Sequence, residues 1–282
     1  MATAMLVGCG DVGGRLATQL LAQGWAVYGL RRTTDCLPVG VSPVYADLSD
    51  ARCPPTWPAG PLDCVVYCVA AGSHDEHGYR AAYVQGLKHT LAWLADHGQT
   101  PKRLFFVSST GVYGQVGGEW VDEHAPAHAA GFAGQIMREA EAVACASGHP
   151  ATIVRLAGIY GPGRERLLRQ VREGYQVAAT PPLYANRIHA DDAAGLLAHL
   201  VRQAEAGQAL LRCYIGVDDA PVALDEVFAW LRQQLGITQL NADAFVRRSG
   251  SKRCRNALAR AAGWQPRYPS YREGYAALLG PR

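Results

Sequence analysis

Lysine is almost missing from this chain: Lys88, Lys102 and Lys252 are the only three among 27 basic residues. With a net charge of +3 and its arginines dispersed along 282 residues, the sequence offers no basic stripe for nucleic acid and no polybasic membrane segment. No apolar run approaches the roughly 20 residues of a membrane span. Met1-Ala2-Thr3 leads straight into an apolar strand, with no signal peptide ahead of it, so a soluble cytoplasmic protein is expected. Repeats, low-complexity tracts and free linkers are absent. The eight cysteines, Cys9, Cys36, Cys53, Cys64, Cys68, Cys145, Cys213 and Cys254, form no CxxC pair and have no histidine at zinc-finger spacing, so no metal site is expected. Cys64 and Cys68, inside an apolar strand, read as buried reduced thiols.

What is present begins at residue 4. Ala4-Met5-Leu6-Val7 enters a turn with glycines at Gly8, Gly10 and Gly13, and an amphipathic stretch from Val12 to Gln23 leaves it. This is the strand, turn and helix start of a dinucleotide-binding βαβ unit. Gly8 permits a tight turn, Gly10 lets a pyrophosphate approach the backbone, and Gly13 lets the helix pack closely on the strand. The N–H groups around Asp11 and Val12 and the helix dipole would then face the phosphates. A second strand, Trp25 to Leu30, ends in Arg31-Arg32 where NAD-binding units carry a carboxylate for the ribose. Two guanidinium groups suit a 2′-phosphate instead, so NADP is expected over NAD. Without the glycine turn upstream, the same pair would read as a solvated loop.

The rest of the chain alternates strand and helix. Pro43 to Leu48 reads as a third strand whose Asp47, beside Leu48, either accepts an adenine amino group or caps the next segment. Ala51 to Pro61 carries four prolines and is a loop. Asp63 to Gly72 is nearly continuous apolar strand, as in a parallel sheet covered on both faces, and its small exit residues Ala70 and Ala71 leave room for a nucleotide. A helix is expected from Tyr79 to His97. His74, His77, His89 and His97 cluster there at spacings that suggest no metal. Lys102 to Thr110 is the next strand and delivers Ser108, Ser109 and Thr110 at its carboxyl end, where open α/β sheets bind ligands. Helix is expected again at Gly131 to Ser147, at Arg164 to Gly174, at Leu224 to Leu235 and at Ser270 to Leu279, with strands at Ala151 to Leu156 and Leu210 to Val217. Arg166, Arg169 and Arg172 share one helix face, either a solvated surface or an anion contact. At 49% hydrophobic and 18% charged, the chain can bury a large core. The expected architecture is a doubly wound parallel-sheet α/β Rossmann fold over residues 1–162. Residues 163–282 would be mainly a small C-terminal substrate lobe, with about 186–218 returning to the first domain.

Taken together, the glycine turn, Ser108-Ser109-Thr110-Gly111-Val112-Tyr113-Gly114, Asp122-Glu123 with Pro126, Tyr160-Gly161-Pro162-Gly163, and Arg187-Ile188-His189-Ala190-Asp191-Asp192 resemble the extended short-chain dehydrogenase/reductases. That group includes the NAD-dependent sugar-nucleotide epimerases and dehydratases. The GxGxxG spacing, Arg155 to Gly163, and Asn256 to Gly274 resemble an atypical branch of it. The resemblance implies a homodimer paired through the helices at Tyr79 to His97 and Gly131 to Ser147. It also implies a tyrosine with a lysine four residues later, the ammonium lowering the phenol's pKa so that it can move a proton. No tyrosine of this chain has that partner. The corresponding positions fall near Phe132 or Ala133 and near Ile136 or Met137.

Ser109 occupies the family's Ser/Thr position, with Thr110 adjacent. The remaining proton carriers that the resemblance would bring near the cleft are Tyr113, Glu123 and His189, with Glu123, Arg164 and Arg187 as substrate-binding residues. Each has a structural alternative: Tyr113 packs behind the cofactor, Glu123 caps a loop, and His189 bonds backbone at the start of the helix Asp191 to Val201. Two functions stay open. One is an NADP-dependent oxidoreductase or sugar-nucleotide epimerase/dehydratase acting on a small or nucleotide-linked substrate with an unconventional proton carrier. The other is a binding protein that senses cofactor state without turnover.

Overall fold

The computed structural model describes residues 1–246 and 250–280. The first half runs β1 (Thr3–Val7), α1 (Asp11–Leu21), β2 (Ala26–Arg31), β3 (Ser42–Tyr45) and β4 (Cys64–Tyr67). A composite helix comes next: α2 (Glu76–Tyr79), a π-helical stretch Arg80–Gln85, and α3 (Gly86–Asp96). Then come β5 (Arg103–Ser109), a single 3₁₀ turn Thr110–Val112, β6 (Glu119–Val121), α4 (Phe132–Cys145), β7 (Ala151–Leu156) and β8 (Gly158–Tyr160). The remainder is α5 (Arg166–Arg172), β9 (Arg187–His189), α6 (Ala190–Glu205), β10 (Cys213–Gly216), α7 (Leu224–Leu235), β11 (Lys252–Cys254), α8 (Ala257–Ala261) and α9 (Tyr271–Leu279).

Seven of these strands make one parallel sheet in the order β10-β7-β5-β4-β1-β2-β3. The chain winds outward from β1 in one direction and from β4 in the other, so a crevice opens between the carboxyl ends of those two strands. Side chains alternate across the sheet and build two cores. On one face Met5, Val7, Tyr67 and Phe106 pack with Leu87 and Trp93 of α3 and Ile136 and Ala140 of α4. On the other, Ala4, Leu6, Val66 and Phe105 pack with Leu16 and Leu20 of α1 and Leu197 and Leu200 of α6. The doubly wound class read from the apolar strands is the class observed. A third, separate core of Leu168, Val171, Val227, Phe228, Leu231, Tyr271 and Tyr275 joins α5, α7 and α9 into a small lobe.

Among the boundaries that differ from the periodicity, three shape the cleft. β4 stops at Tyr67 instead of Gly72 because its neighbour β1 ends at Val7, and after the bond from Cys68 N to Val7 O (2.8 Å) the chain has no ladder partner on that side. The helix after it begins at Glu76, capped by Asp75, which accepts from Gly78 N at 2.7 Å. The π stretch displaces the later apolar stripe from this first turn, so the stripe alone marks only α3. α5 is shorter than expected and begins at Arg166. Before it, Gly161 and Arg164 bridge a tight turn that leaves Arg164 outside the helix.

One buried ion pair ties the layers together behind the crevice. Glu141 of α4 accepts from Arg155 Nε at 2.8 Å and Nη2 at 2.7 Å, and from Ser108 Oγ at 2.6 Å. Arg155 Nη1 donates to Tyr113 Oη at 2.8 Å, and Tyr113 Oη donates to Asp122 O at 2.8 Å. Replacing Glu141 by Ala leaves a buried guanidinium without its anion, and we expect a loss of about 3–5 kcal/mol in urea unfolding. A loss below about 1 kcal/mol would show that water reaches Arg155 and that the pair does not hold α4 to β7.

Candidate functional site

The crevice is a cleft of about 1280 Å³ over the carboxyl ends of β1, β2, β4 and β5. Its floor is the glycine turn. Gly8 has a φ of +92°, and a Cβ there would lie 2.5 Å from Cys68 O; a Cβ on Gly13, in α1, would lie 2.5 Å from Gly8 O. A Cβ on Gly10, by contrast, would meet nothing within 4 Å, and among the described residues no side chain caps the start of α1. Two glycines therefore make the close packing and the third leaves the backbone open to the cleft, an arrangement that fits the pyrophosphate of a dinucleotide. Asp11 and Val12 line the cleft beside Gly10.

At the end of β2 the two arginines divide. Arg31 is half-buried and its Nη1 lies 3.5 Å from both Cys9 O and Cys36 O, which sets it against the turn. Arg32 is exposed and reaches across the mouth, so that a Cβ on Gly72 would lie 3.9 Å from both its terminal nitrogens. Asp47 Oδ1 accepts from Ser49 N (2.9 Å) and Ser49 Oγ (2.8 Å), which caps the adjoining turn and holds its carboxyl below the usual range. The carbonyl of Leu48 accepts from His89 Nδ1 at 2.8 Å. Ala70 lines the cleft, and the N–H of Ala71 approaches Oη of Tyr83, itself a lining residue, at 3.4 Å.

At the other end, Ser109 lines the cleft and accepts from Gly111 N at 3.0 Å. Ala133 and Met137 of α4 face the same space four residues apart, where the resemblance calls for a phenol and an ammonium. The neighbouring alternatives do not: Ile136 is buried in the core, and Phe132 packs on His74 and Tyr79.

Several expected site residues are used structurally. Ser108 reaches the cleft wall but spends its hydroxyl on Glu141. Thr110 is buried and pairs with the Cys254 thiol, away from the cleft. The ring of Tyr113 lines the cleft while its hydroxyl is held between Arg155 and Asp122, and burial pushes its pKa above the ordinary phenol value. Glu123 lies outside the cleft; its Oε1 accepts from Ile215 N of the edge strand β10 at 2.7 Å, in place of a further strand. His189 is buried against Tyr268 and Tyr160 and accepts from Asp191 N at 3.2 Å, capping α6; burial lowers its pKa and favours the neutral ring. Tyr113, Glu123 and His189 are thus not free to carry protons in the cleft.

The structure adds residues that spacing does not reveal. His74 and Tyr79 both line the cleft, with Nδ1 of the one 3.1 Å from Oη of the other. The histidine is visible in the sequence, but a helix starting at Tyr79 makes the tyrosine a first-turn surface residue, and the true start at Glu76 turns it into the cleft. Lys252 also lines the cleft, its Nζ donating to Tyr113 O at 3.0 Å. It arrives on β11, which pairs with β6, and no local motif announces that pairing. Among the described residues no cluster of three His, Cys, Asp or Glu could hold a metal, and no helix is long and apolar enough to cross a membrane.

Arg187 also departs from expectation. It lies outside the cleft, 4% exposed, with its guanidinium 5.4 Å from the Tyr271 ring and no hydrogen bond to either terminal nitrogen among the described residues. Asp218 is buried nearby, and burial, opposed by Arg187, pushes its pKa up to about 7. Since this exceeds the unfolded value of about 3.9, the folded carboxyl keeps a proton that the unfolded chain releases, and its contribution is lost as pH rises from about 4 to 7. We expect the stability difference between wild type and Asp218→Asn to fall by about 1 kcal/mol per pH unit between pH 5 and 7 in thermal or urea unfolding. Parallel profiles would show that Asp218 is ionised throughout.

The profile of the NAD dependent epimerase/dehydratase family matches residues 5–216. No curated protein matches the chain in sequence. Among solved structures, a candidate NAD-dependent epimerase/dehydratase from Methylobacillus flagellatus is 37% identical, with 99% of this chain and 97% of that chain covered and a TM-score of 0.80. A conserved protein of unknown function from Silicibacter pomeroyi is 26% identical, with coverages of 99% and 98% and a TM-score of 0.74. The Thermus thermophilus UDP-glucose 4-epimerase, solved with NAD, shares the fold at 19% identity, coverages of 97% and 96% and a TM-score of 0.75. The chain belongs to the NAD-dependent epimerase/dehydratase family.

Proposed function

We propose that this protein is an NADP(H)-dependent oxidoreductase or epimerase/dehydratase-type enzyme that interconverts a carbonyl and a hydroxyl on a small or nucleotide-linked substrate. The observation that carries this reading is one continuous cleft with Arg32 at the mouth, the open backbone of Gly10 on its floor, and Ser109 with the His74–Tyr79 pair among its lining. The family is NAD-dependent, but the end of β2 bears two arginines where a ribose-binding carboxylate would sit, and this supports the phosphorylated cofactor. A nicotinamide held in the cleft supplies or accepts the hydride. Ser109 Oγ then orients the reacting oxygen, and Tyr79 moves the proton with His74 as its exchange partner. His74 is exposed, so the proton that it takes up or gives is replaced from solvent. Lys252 adds a positive charge to the lining, which suits an anionic substrate group.

A second reading, cofactor sensing without turnover, is favoured by Ala133 and Met137 in place of the family's phenol and ammonium. Calorimetric titration with NADPH and NADH tests the cofactor. We expect NADPH to bind at least tenfold more tightly and Arg32→Asp to remove that preference; equal binding of the two by wild type would reject the 2′-phosphate site. NADPH oxidation over a panel of aldehydes, ketones and nucleotide-linked keto sugars tests the chemistry. Tyr79→Phe should lower turnover by about 10²-fold or more with NADPH affinity unchanged. NADPH binding with no turnover of any panel member would favour the sensor.

A further inference from the structure

Asp11 poses an electrostatic problem. It is the first residue of α1, next to Gly10, and it lines the cleft where a doubly charged pyrophosphate would sit under the proposed function. Although partial burial pushes its pKa up, bonds from Arg15 and Arg164 outweigh that and keep it ionised. A fixed anion at that place repels the ligand that the glycine turn is shaped to receive.

The structure answers the charge from the other half of the molecule. Arg15, on the same helix, is shared: its Nε donates to Asp11 Oδ1 at 2.8 Å and its Nη1 pairs with Asp191. Arg164 donates through Nε alone, to Asp11 Oδ2 at 2.5 Å. Its two terminal nitrogens form no hydrogen bond among the described residues, and the side chain is 40% exposed on the cleft wall. Its main chain is fixed by the turn after β8, where Arg164 N donates to Gly161 O at 2.9 Å. The guanidinium is close enough to the turn to act on Cys68, whose carbonyl abuts Gly8.

We infer that Arg164 is a ligand for the pyrophosphate of the dinucleotide, delivered by the segment that leads into the C-terminal lobe and held ready by Asp11. The planar fork of arginine suits this double duty: Nε stays on the carboxylate while the terminal nitrogens take a phosphate oxygen, which a single ammonium could not do in the same geometry. The like charge of Asp11 is thereby converted into the anchor of the cation, and the cofactor bridges the glycine turn to the first residues of the lobe.

The inference rests on the cofactor reading, and one set of titrations separates the two. NADPH, NADH and adenosine 2′-monophosphate, which has no pyrophosphate, are titrated calorimetrically into wild type, Arg164→Ala, Arg164→Lys and the Arg164→Ala/Asp11→Asn double variant. Arg164 is surface-exposed, so the variants should fold, and circular dichroism checks this. We expect Arg164→Ala to weaken NADPH at least tenfold with adenosine 2′-monophosphate unchanged, Arg164→Lys to fall between, and the double variant to recover most of the loss because the repelling carboxylate has gone. Arg164→Ala binding NADPH within twofold of wild type, or losing the mononucleotide equally, overturns the inference and leaves the cofactor reading standing. Wild type that binds neither NADPH nor NADH overturns both.

Discussion

The buried bond between Glu141 and Arg155 sets what the rest of the cleft can do. It joins the helix that forms one wall to the strand beneath, and it draws in the hydroxyls of Ser108 and Tyr113. A charged pair in a dry interior needs every remaining donor and acceptor occupied. Ser108 and Tyr113 supply two of those contacts, so side chains that look reactive in sequence are committed to holding the wall in place. The wall in turn fixes Ala133 and Met137, two turns and one turn before Glu141, as residues that face the cleft.

Much of the fold was legible. An unbroken apolar β4, the glycine turn and the strand of small and hydroxylated residues each obey local rules, because backbone geometry and two-sided burial restrict which residues fit. The tight turn at Gly8 and the close helix packing at Gly13 follow from spacing alone, and their contacts agree with it. The arginines after β2 were equally visible, although their division between the turn and the mouth was not.

What sequence could not show depends on long-range partners. Glu123 resembles a cleft carboxylate until the free edge of β10 is seen to need an acceptor for Ile215 N. His189 resembles a proton carrier until the amino end of α6 is seen to need a cap. Arg187 sits in a motif that ought to meet the cleft, yet the third core covers it. Lys252 has no local signature, because its place in the cleft is set by the pairing of two three-residue strands far apart in the chain. In each case a tertiary requirement for a hydrogen bond or for burial decided the role.

The π-helical stretch Arg80–Gln85 has a wider consequence. One additional residue in a helical turn rotates everything before it by about 100° relative to everything after it. The Tyr79 end can therefore be aimed at the ligand space while Leu87 and Leu94 keep their seats in the sheet core. The two ends of this helix are in effect geared apart, which lets the end that faces the cleft change without repacking the interior.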